Sequence, residues 1–286
     1  MKFFIGGLGN WFNDYTQLKQ LILEGDKLGF DGALMPDHYM WGTMGGRMNR
    51  PDRYRTVDTW ITLSYLAGKT EHIKLGTLVT PIPFRPPGML AKMLSTLDNL
   101  SNGRVILGVG AGWSQDEFDG FSQWSSDKER VDKTKEGLEL ILKLWTQEEV
   151  NFEGNFFNAT KAVIDPKPVQ NPYPELLFGG SGNRMLKLAG KYGNIIYIPP
   201  WGGPEKIAEG RKKVLKSAKE NNREDKIAFM SGTMMGPRTT NVKEFTGLIE
   251  SAVANKDKYF LPSFGRGEDA IKLMKEFAKE IIPSYK

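Results

Sequence analysis

The sequence contains no cysteine and only two histidines, His38 and His72, in 286 residues. The absence of cysteine excludes disulfides, thiolate catalysis, iron–sulfur clusters and cysteine-ligated zinc. Two histidines are too few for a histidine-rich metal centre, so we predict no bound metal. No apolar run approaches the roughly 20 residues that span a bilayer, and the N-terminal segment leads into an amphipathic helix rather than a cleavage site. We therefore expect a soluble cytoplasmic protein without a membrane partner.

The sequence also lacks a strong bias of charge. The formal net charge is +5, and lysine and arginine alternate with acidic residues, as in KEGLELILKLW, instead of forming a basic tract. This pattern favours a solvated surface over a surface for nucleic acid, so we predict no nucleic-acid partner. Hydrophobic residues make up 40% of the chain and charged residues 26%, as in globular proteins. The length suits one α/β barrel, which takes roughly 250 residues, and we predict a single domain over 1–286.

Short apolar segments alternate with longer segments of helical periodicity along the whole chain. We predict strands at Lys2–Gly6, Phe30–Met35, Ile73–Thr80, Val105–Val109, Leu176–Phe178, Ile195–Ile198, Ile227–Met234 and Tyr259–Leu261. Strand–helix alternation predicts a parallel sheet, and an open doubly wound sheet would give the same pattern. Eight units without a linker favour a closed (β/α)8 TIM barrel. The proline-rich stretch 148–175 breaks the alternation and predicts a hairpin and extended loop inserted before strand five.

In such a barrel the active site is built from the loops that follow the strands. Strand two runs into Asp37 and His38, then into a glycine-rich and arginine-rich loop typical of a lid, in which Arg47 or Arg50 could meet an anionic group. A histidine titrates near pH 6.5 and can act as acid, base or hydrogen-bond partner, although a hydrogen-bonded structural role is the alternative for His38. His72 precedes strand three and is interpreted as structural.

Three further strand ends carry candidate residues. After strand three, prolines predict an extended loop bearing Arg85. After strand four, the glycines at 108, 110 and 112 would let a planar ligand approach the backbone, while their GxGxG spacing alone is a weak nucleotide signal. After strand five, GGSGN precedes a helix, and its backbone N–H groups and Ser181 predict a phosphate site; a tight turn with a Ser or Asn cap is the alternative. Strand six leads to Trp201.

Several segments together resemble one known family. The stretch 70–118, TEHIKLGTLVTPIPFRPPGMLAKMLSTLDNLSNGRVILGVGAGWSQDEF, is similar to the signature region of the bacterial-luciferase-like flavin and coenzyme F420-dependent oxidoreductases. LGFDGALMPDH resembles the second strand of that family, KTKEGLELILKLW its fourth helix, and ELLFGGSG its phosphate loop. The resemblance extends over about residues 1 to 200 and is weaker beyond them.

The resemblance implies a (β/α)8 barrel with an insertion, and a tricyclic ring that lies across the strand ends. It makes His38 and Asp37 the candidate catalytic residues next to the ring. It also implies a non-proline cis peptide between Leu78 and Val79, in a bulge that backs the ring. The cofactor-binding residues that it implies are Asp37, His38, Trp41, Leu78, Val79, Thr80, Gly110, Trp113, Gly179, Gly180 and Ser181.

The function that we predict from the resemblance is hydride transfer by coenzyme F420 to or from a small organic substrate. An FMN-dependent monooxygenase is the first alternative, and a barrel subunit without catalysis is the second. Trp113 occupies the position where the sugar-phosphate dehydrogenases of the family have a catalytic glutamate, which argues against that substrate class. Members of the family commonly form dimers, so we expect a homodimer.

Overall fold

A computed structural model of the chain describes residues 1–8, 15–41, 56–232 and 241–285. The strands within these ranges are β1 (Lys2–Ile5), β2 (Gly32–Met35), β3 (Lys74–Thr77), β4 (Thr80–Pro81), β5 (Val105–Gly110), β6 (Val150–Glu153), β7 (Asn158–Ala162), β8 (Glu175–Gly179), β9 (Ile195–Tyr197), β10 (Ala228–Gly232) and β11 (Tyr259–Leu261). Eight of them pair in parallel in the order β1, β2, β3, β5, β8, β9, β10, β11, and β11 pairs again with β1. The ring is therefore closed, and the predicted barrel is confirmed.

Helices surround the barrel and connect its strands. They are α1 (Tyr15–Lys27), α2 (Thr59–Ala67), α3 (Pro87–Leu100), α4 (Gln115–Phe121), α5 (Asp127–Thr146), α6 (Asn183–Tyr192), α7 (Gly203–Glu220), α8 (Val242–Ala254), α9 (Glu268–Glu280) and α10 (Ile282–Tyr285). In α9, for example, Leu273, Met274 and Phe277 are buried at three- and four-residue spacing, as in an apolar stripe. None of the helices in the described ranges is long and apolar enough to cross a bilayer.

The strands separate two apolar cores, because successive side chains of a strand point to opposite faces. Phe4, Ile106 and Leu177 belong to the core inside the barrel. Their sequence neighbours, such as Phe3 and Leu107, belong to the larger core between the strands and the helices. Burial on both faces explains why these strands appear in the sequence as continuous apolar runs.

The third strand differs from its prediction. It ends at Thr77, and the chain continues through a cis peptide bond between Leu78 and Val79 into the short β4. The prolines after it do not form the extended loop that we expected. Residues Ile82–Phe84 form a 3-10 helix, closed by a hydrogen bond from the Arg85 N–H to the Ile82 carbonyl. The fixed φ of proline fits a helical turn as well as an extended one, which is why the residue types did not distinguish them.

Two other strand boundaries shift by a few residues. Phe30 precedes β2, because its N–H bonds to the Gly25 carbonyl and completes the end of α1. The last barrel strand but one is Ala228–Gly232 instead of Ile227–Met234, and residues 233 and 234 lie outside the described ranges.

The insertion before the fifth barrel strand contains the predicted hairpin. β6 and β7 pair antiparallel within the stretch 148–175. The carboxylate of Glu136 in α5 accepts the backbone N–H groups of Asn155, Phe156 and Phe157, which anchors the hairpin turn beside the barrel. The insertion thus rests on α5 and leaves the strand ends open.

Candidate functional site

A cavity of about 480 Å³ opens at the carboxyl ends of the barrel strands. This volume is within the usual range for small-molecule and cofactor sites. The residues from the prediction that line it are His38, Trp41, Leu78, Val79, Gly110, Trp113, Gly179, Gly180 and Ser181. Two of the predicted residues, Asp37 and Thr80, do not line it and lie buried behind its wall.

The floor of the cavity is the bulge at Leu78 and Val79, flanked by two glycines. A Cβ atom on Gly179 would lie 2.8 Å from side-chain carbons of both Leu78 and Val79. A Cβ atom on Gly110 would lie 2.3 Å from Val79 Cγ2. Only glycine fits at these two positions without a shift of the bulge. The glycine backbone on either side therefore lies directly against Leu78 and Val79. The resulting floor is apolar and free of projecting side chains at its edges.

His38 lies at the side of the cavity and is held by a buried carboxylate. Its Nδ1 is 2.7 Å from Oε2 of Glu117, which is only 1% exposed. The other oxygen of Glu117, Oε1, accepts the backbone N–H groups of Tyr39 and Met40. Glu117 thus fixes both the histidine ring and the backbone that follows it.

We did not assign a role to Glu117 from the sequence. It lies in the first turn of α4, after the glycine-rich end of β5, and 79 residues separate it from His38. The available signal was an acidic residue in a short helix that follows a barrel strand. Its partner becomes evident only when the closed ring brings the ends of β2 and β5 to the same rim.

Aromatic side chains surround the exposed part of His38. The Trp41 ring stacks on the imidazole with centroids 4.3 Å apart and planes at 30°. Trp113 meets it edge-on at 5.6 Å. Trp113 and Trp201 line the cavity and are 47% and 66% exposed, so they form its outer rim. Among the described residues that line the cavity, His38 is the only histidine, lysine, arginine or carboxylate side chain.

Asp37 supports the wall behind His38 through a buried ionic network. Arg85 donates to Asp37 at 2.9 and 3.2 Å and to Asp58 at 2.9 Å. Burial acts to lower the pKa of Arg85, but the attraction of Asp37 and the hydrogen bonds to both carboxylates outweigh it and raise the pKa. Asp37 also accepts the Thr80 hydroxyl at 2.9 Å. The network connects the end of β2 to the start of α2 and keeps Asp37 away from the cavity.

The glycine-rich turn after β8 also lines the cavity and leads into α6. The Gly180 N–H donates to the Tyr197 carbonyl at 3.2 Å, and the binding of a phosphate by this turn stays a prediction. No side chain caps the N-terminus of α6, and Ser181 and Gly182 line the cavity just before it. The N–H groups of the first turn of α6 and the Ser181 hydroxyl are the candidate donors for an anion at this part of the cavity. Arg47 and Arg50, the predicted lid cations, lie outside the described residues.

The chain is similar to one protein family and to several known proteins. A model of the luciferase-like monooxygenase family matches residues 5–241. An F420-dependent glucose-6-phosphate dehydrogenase of Nakamurella multipartita is 35% identical over 178 residues, which cover 62% of this chain and 50% of that protein. An FMNH2-dependent dimethylsulfone monooxygenase of Pseudomonas putida is 29% identical over 184 residues, which cover 64% of this chain and 47% of that protein.

A solved structure of an F420-dependent secondary alcohol dehydrogenase, in complex with an F420-acetone adduct, superposes with a TM-score of 0.84. It covers 100% of this chain and 99% of its own, at 20% identity, and is therefore evidence for the fold alone. The chain spans about half the length of the curated relatives that it matches by sequence.

Proposed function

The chain belongs to the luciferase-like monooxygenase family, and from this premise we propose that it is an oxidoreductase that uses coenzyme F420 for hydride transfer to or from a small organic substrate. The observation that supports this most is one cavity that combines an apolar floor between two glycines with an uncapped helix N-terminus. A tricyclic ring fits the floor. A phosphate fits the amides of the first turn of α6, where the helix dipole favours negative charge.

The residues around the floor suit hydride chemistry. A bound deazaflavin ring would supply the site that accepts or gives up the hydride, and the barrel would position the two reactants. His38 is beside that position and can accept the proton of a substrate hydroxyl or return it to a carbonyl oxygen. Trp41 and Trp113 shield the reacting atoms from water, which strengthens the electrostatic interactions of His38 with the substrate.

An FMN-dependent monooxygenase is the second candidate. The relative from Pseudomonas putida is named as such an enzyme, and the cavity would hold the ring and phosphate of FMN with the same residues. We favour F420 because the F420-dependent relative from Nakamurella multipartita is 35% identical, whereas the FMNH2-dependent relative is 29% identical.

Titration of the purified protein with each cofactor, followed by ring fluorescence, tests the proposal. We expect saturable binding of F420 that is tighter than that of FMN. Gly110→Ala should weaken it by about 5-fold to 150-fold, because overpacking of Val79 costs about 1–3 kcal/mol. Gly247→Ala is the matched control, since its new Cβ in α8 meets no atom within 4 Å. Tight FMN binding without deazaflavin binding would overturn the proposal.

We further propose a cytoplasmic homodimer with a small-molecule substrate. The support for the dimer is an exposed apolar stripe on adjacent helices, formed by Ile61 and Tyr65 of α2 and by Met89, Met93 and Leu100 of α3. Sedimentation of the purified protein measures the assembly, and a monomer at micromolar concentration would exclude the dimer. The absence of cysteine is consistent with the cytoplasm, and fractionation of the source cells tests that location.

A further inference from the structure

We propose that Glu117 is a positioning residue that keeps the proton of neutral His38 on Nδ1, so that Nε2 meets the cavity as a hydrogen-bond acceptor. The site would then select substrates that present a hydroxyl donor to His38. The second statement rests on the proposed function, because it requires a substrate in this cavity. The first concerns only the chain itself.

The hydrogen bonds of Glu117 determine the direction of its contact with His38. Oε1 accepts two backbone donors, the N–H groups of Tyr39 and Met40. Oε2 lies 2.7 Å from Nδ1 of His38. An ionised carboxylate can only accept, so a proton must lie on Nδ1 for this contact to be a hydrogen bond. The neutral imidazole has one N–H, which leaves Nε2 with its lone pair.

The packing of the ring leaves Nε2 as the nitrogen for a ligand. Trp41 stacks on one face of the imidazole, and Trp113 meets it edge-on. The His38 side chain is 9% exposed, and the residue lines the cavity. Since Glu117 fixes one corner and the two tryptophans restrict its rotation, a bound molecule reaches the ring at Nε2.

This arrangement adds an acceptor nitrogen to a cavity whose other polar side chains include those of Ser181 and Tyr197. The tryptophans, prolines and glycines around His38 offer no charged group, so one acceptor in an apolar wall sets the orientation of the ligand. A hydroxyl bound to Nε2 satisfies both groups. A ligand with only acceptor oxygens would place a lone pair against the lone pair of Nε2, and burial of such an unpaired contact is costly.

Nitrogen-15 NMR of the ring-labelled protein, without cofactor, measures the tautomer directly. The chain has two histidines, and a His72→Gln variant assigns both signals. At about pH 8.5, well above the usual titration of histidine near 6.5, we expect a pyrrole-like Nδ1 and a pyridine-like Nε2 for His38. His72, 80% exposed, should show the mixture of tautomers found in solvent. A pyridine-like Nδ1, or a solvent-like mixture at His38, would overturn the inference.

Glu117→Gln tests the cause. The Tyr39 N–H needs an acceptor, so the amide oxygen should remain there and the amide NH2 should turn toward Nδ1 of His38. The tautomer should then invert, with the proton on Nε2. Asp119→Asn, an exposed carboxylate of the same helix, is the matched control and should leave both signals unchanged. An unchanged tautomer in folded Glu117→Gln would show that Glu117 is merely structural.

If Glu117→Gln does not fold, the wild-type spectrum alone can still overturn the inference. The outcomes also separate the two proposals. Failure of F420 to bind, with a pyrrole-like Nδ1, would refute the proposed function and keep the role of Glu117. With F420 bound, kcat/KM for secondary alcohols should fall at least tenfold in Glu117→Gln, with an unchanged cofactor Kd; an unchanged kcat/KM would refute the substrate selection.

Discussion

The two histidines of this chain lie at opposite ends of the same barrel, and the burial of their side chains differs greatly. His38 follows β2 at the carboxyl end, and its side chain is 9% exposed against a carboxylate that is 1% exposed. His72 precedes β3 at the amino end, and its side chain is 80% exposed. The same residue type is thus part of a buried network at one end and of the solvated surface at the other. The barrel end, and not the residue type, determines which histidine is available for chemistry.

The ionic groups at the two ends follow the same division. At the amino end, Lys74 and Glu175 pair across β3 and β8 while each side chain keeps about 30% exposure. At the carboxyl end, Arg85 and Asp37 pair with side chains 12% and 3% exposed. The amino-end pair sits where solvent screens it, whereas the carboxyl-end pair is removed from water behind the cavity wall. Among the described residues that line the cavity, only His38 has a side chain that can carry a charge at neutral pH.

The largest effect that we expect from this comparison is on catalysis. His38→Ala should lower turnover about 100-fold to 10,000-fold, the usual contribution of a general acid or base. His72→Ala should leave the rate within about twofold, because its side chain is 80% exposed and is 3.8 Å from its neighbour Glu71. Steady-state kinetics with F420 measure both, and circular dichroism checks the fold. Equal rates for the two variants would remove His38 from the chemistry.

The next effect is on stability and compares the two ion pairs. Arg85→Gln leaves Asp37 buried without its cation, which should cost about 3–5 kcal/mol of unfolding free energy. Lys74→Gln removes a pair whose side chains are 29% and 30% exposed, and it should cost less than about 1 kcal/mol of unfolding free energy. Urea unfolding of both variants gives the values. Similar losses of unfolding free energy would mean that the buried ion pair behind His38 contributes no more to stability than the ion pair at the amino end.

Most of the fold could be predicted because it depends on patterns that the sequence carries locally. Apolar runs marked all eight barrel strands, since both of their faces are buried. Strand ends were less accurate because tertiary hydrogen bonds set them. Phe30 was expected in β2, but its N–H closes the end of α1 instead.

The candidate site could be predicted less completely, for a related reason. Residues that follow strand ends, such as His38 and Trp113, are recognisable because position along the chain places them at the rim. The partner of His38 was not recognisable, since Glu117 is 79 residues away and only barrel closure joins them. The adjacent residues Asp37 and His38 also diverged: one is bound by Arg85 behind the wall and the other lines the cavity.

The smallest effect that we expect is on the pH dependence of stability. It concerns Asp26 at the amino end, whose carboxylate accepts backbone hydrogen bonds. Burial acts to raise its pKa, but the N–H groups of Glu71, Ile73 and His72 donate to its carboxylate and lower the pKa below the ordinary 3.8. Because the pKa of Asp26 is lower in the folded state, its carboxylate stabilises the fold at pH values above the pKa of the unfolded state. This stabilisation is lost as the pH falls through the pKa of the folded state.

Asp26→Asn should therefore flatten the acid limb of stability against pH. We expect the unfolding free energy of the wild type to fall more steeply than that of the variant between about pH 5 and pH 2. The difference should be smaller than that for Arg85→Gln, because Asp26 is partly exposed and solvent screens its interactions. Urea unfolding across this range measures it, with Asp119→Asn as an exposed control. Parallel curves for wild type and Asp26→Asn would mean that the three backbone donors do not favour the charged form of Asp26. The difference in stability between the two barrel ends would then depend on the ion pairs alone.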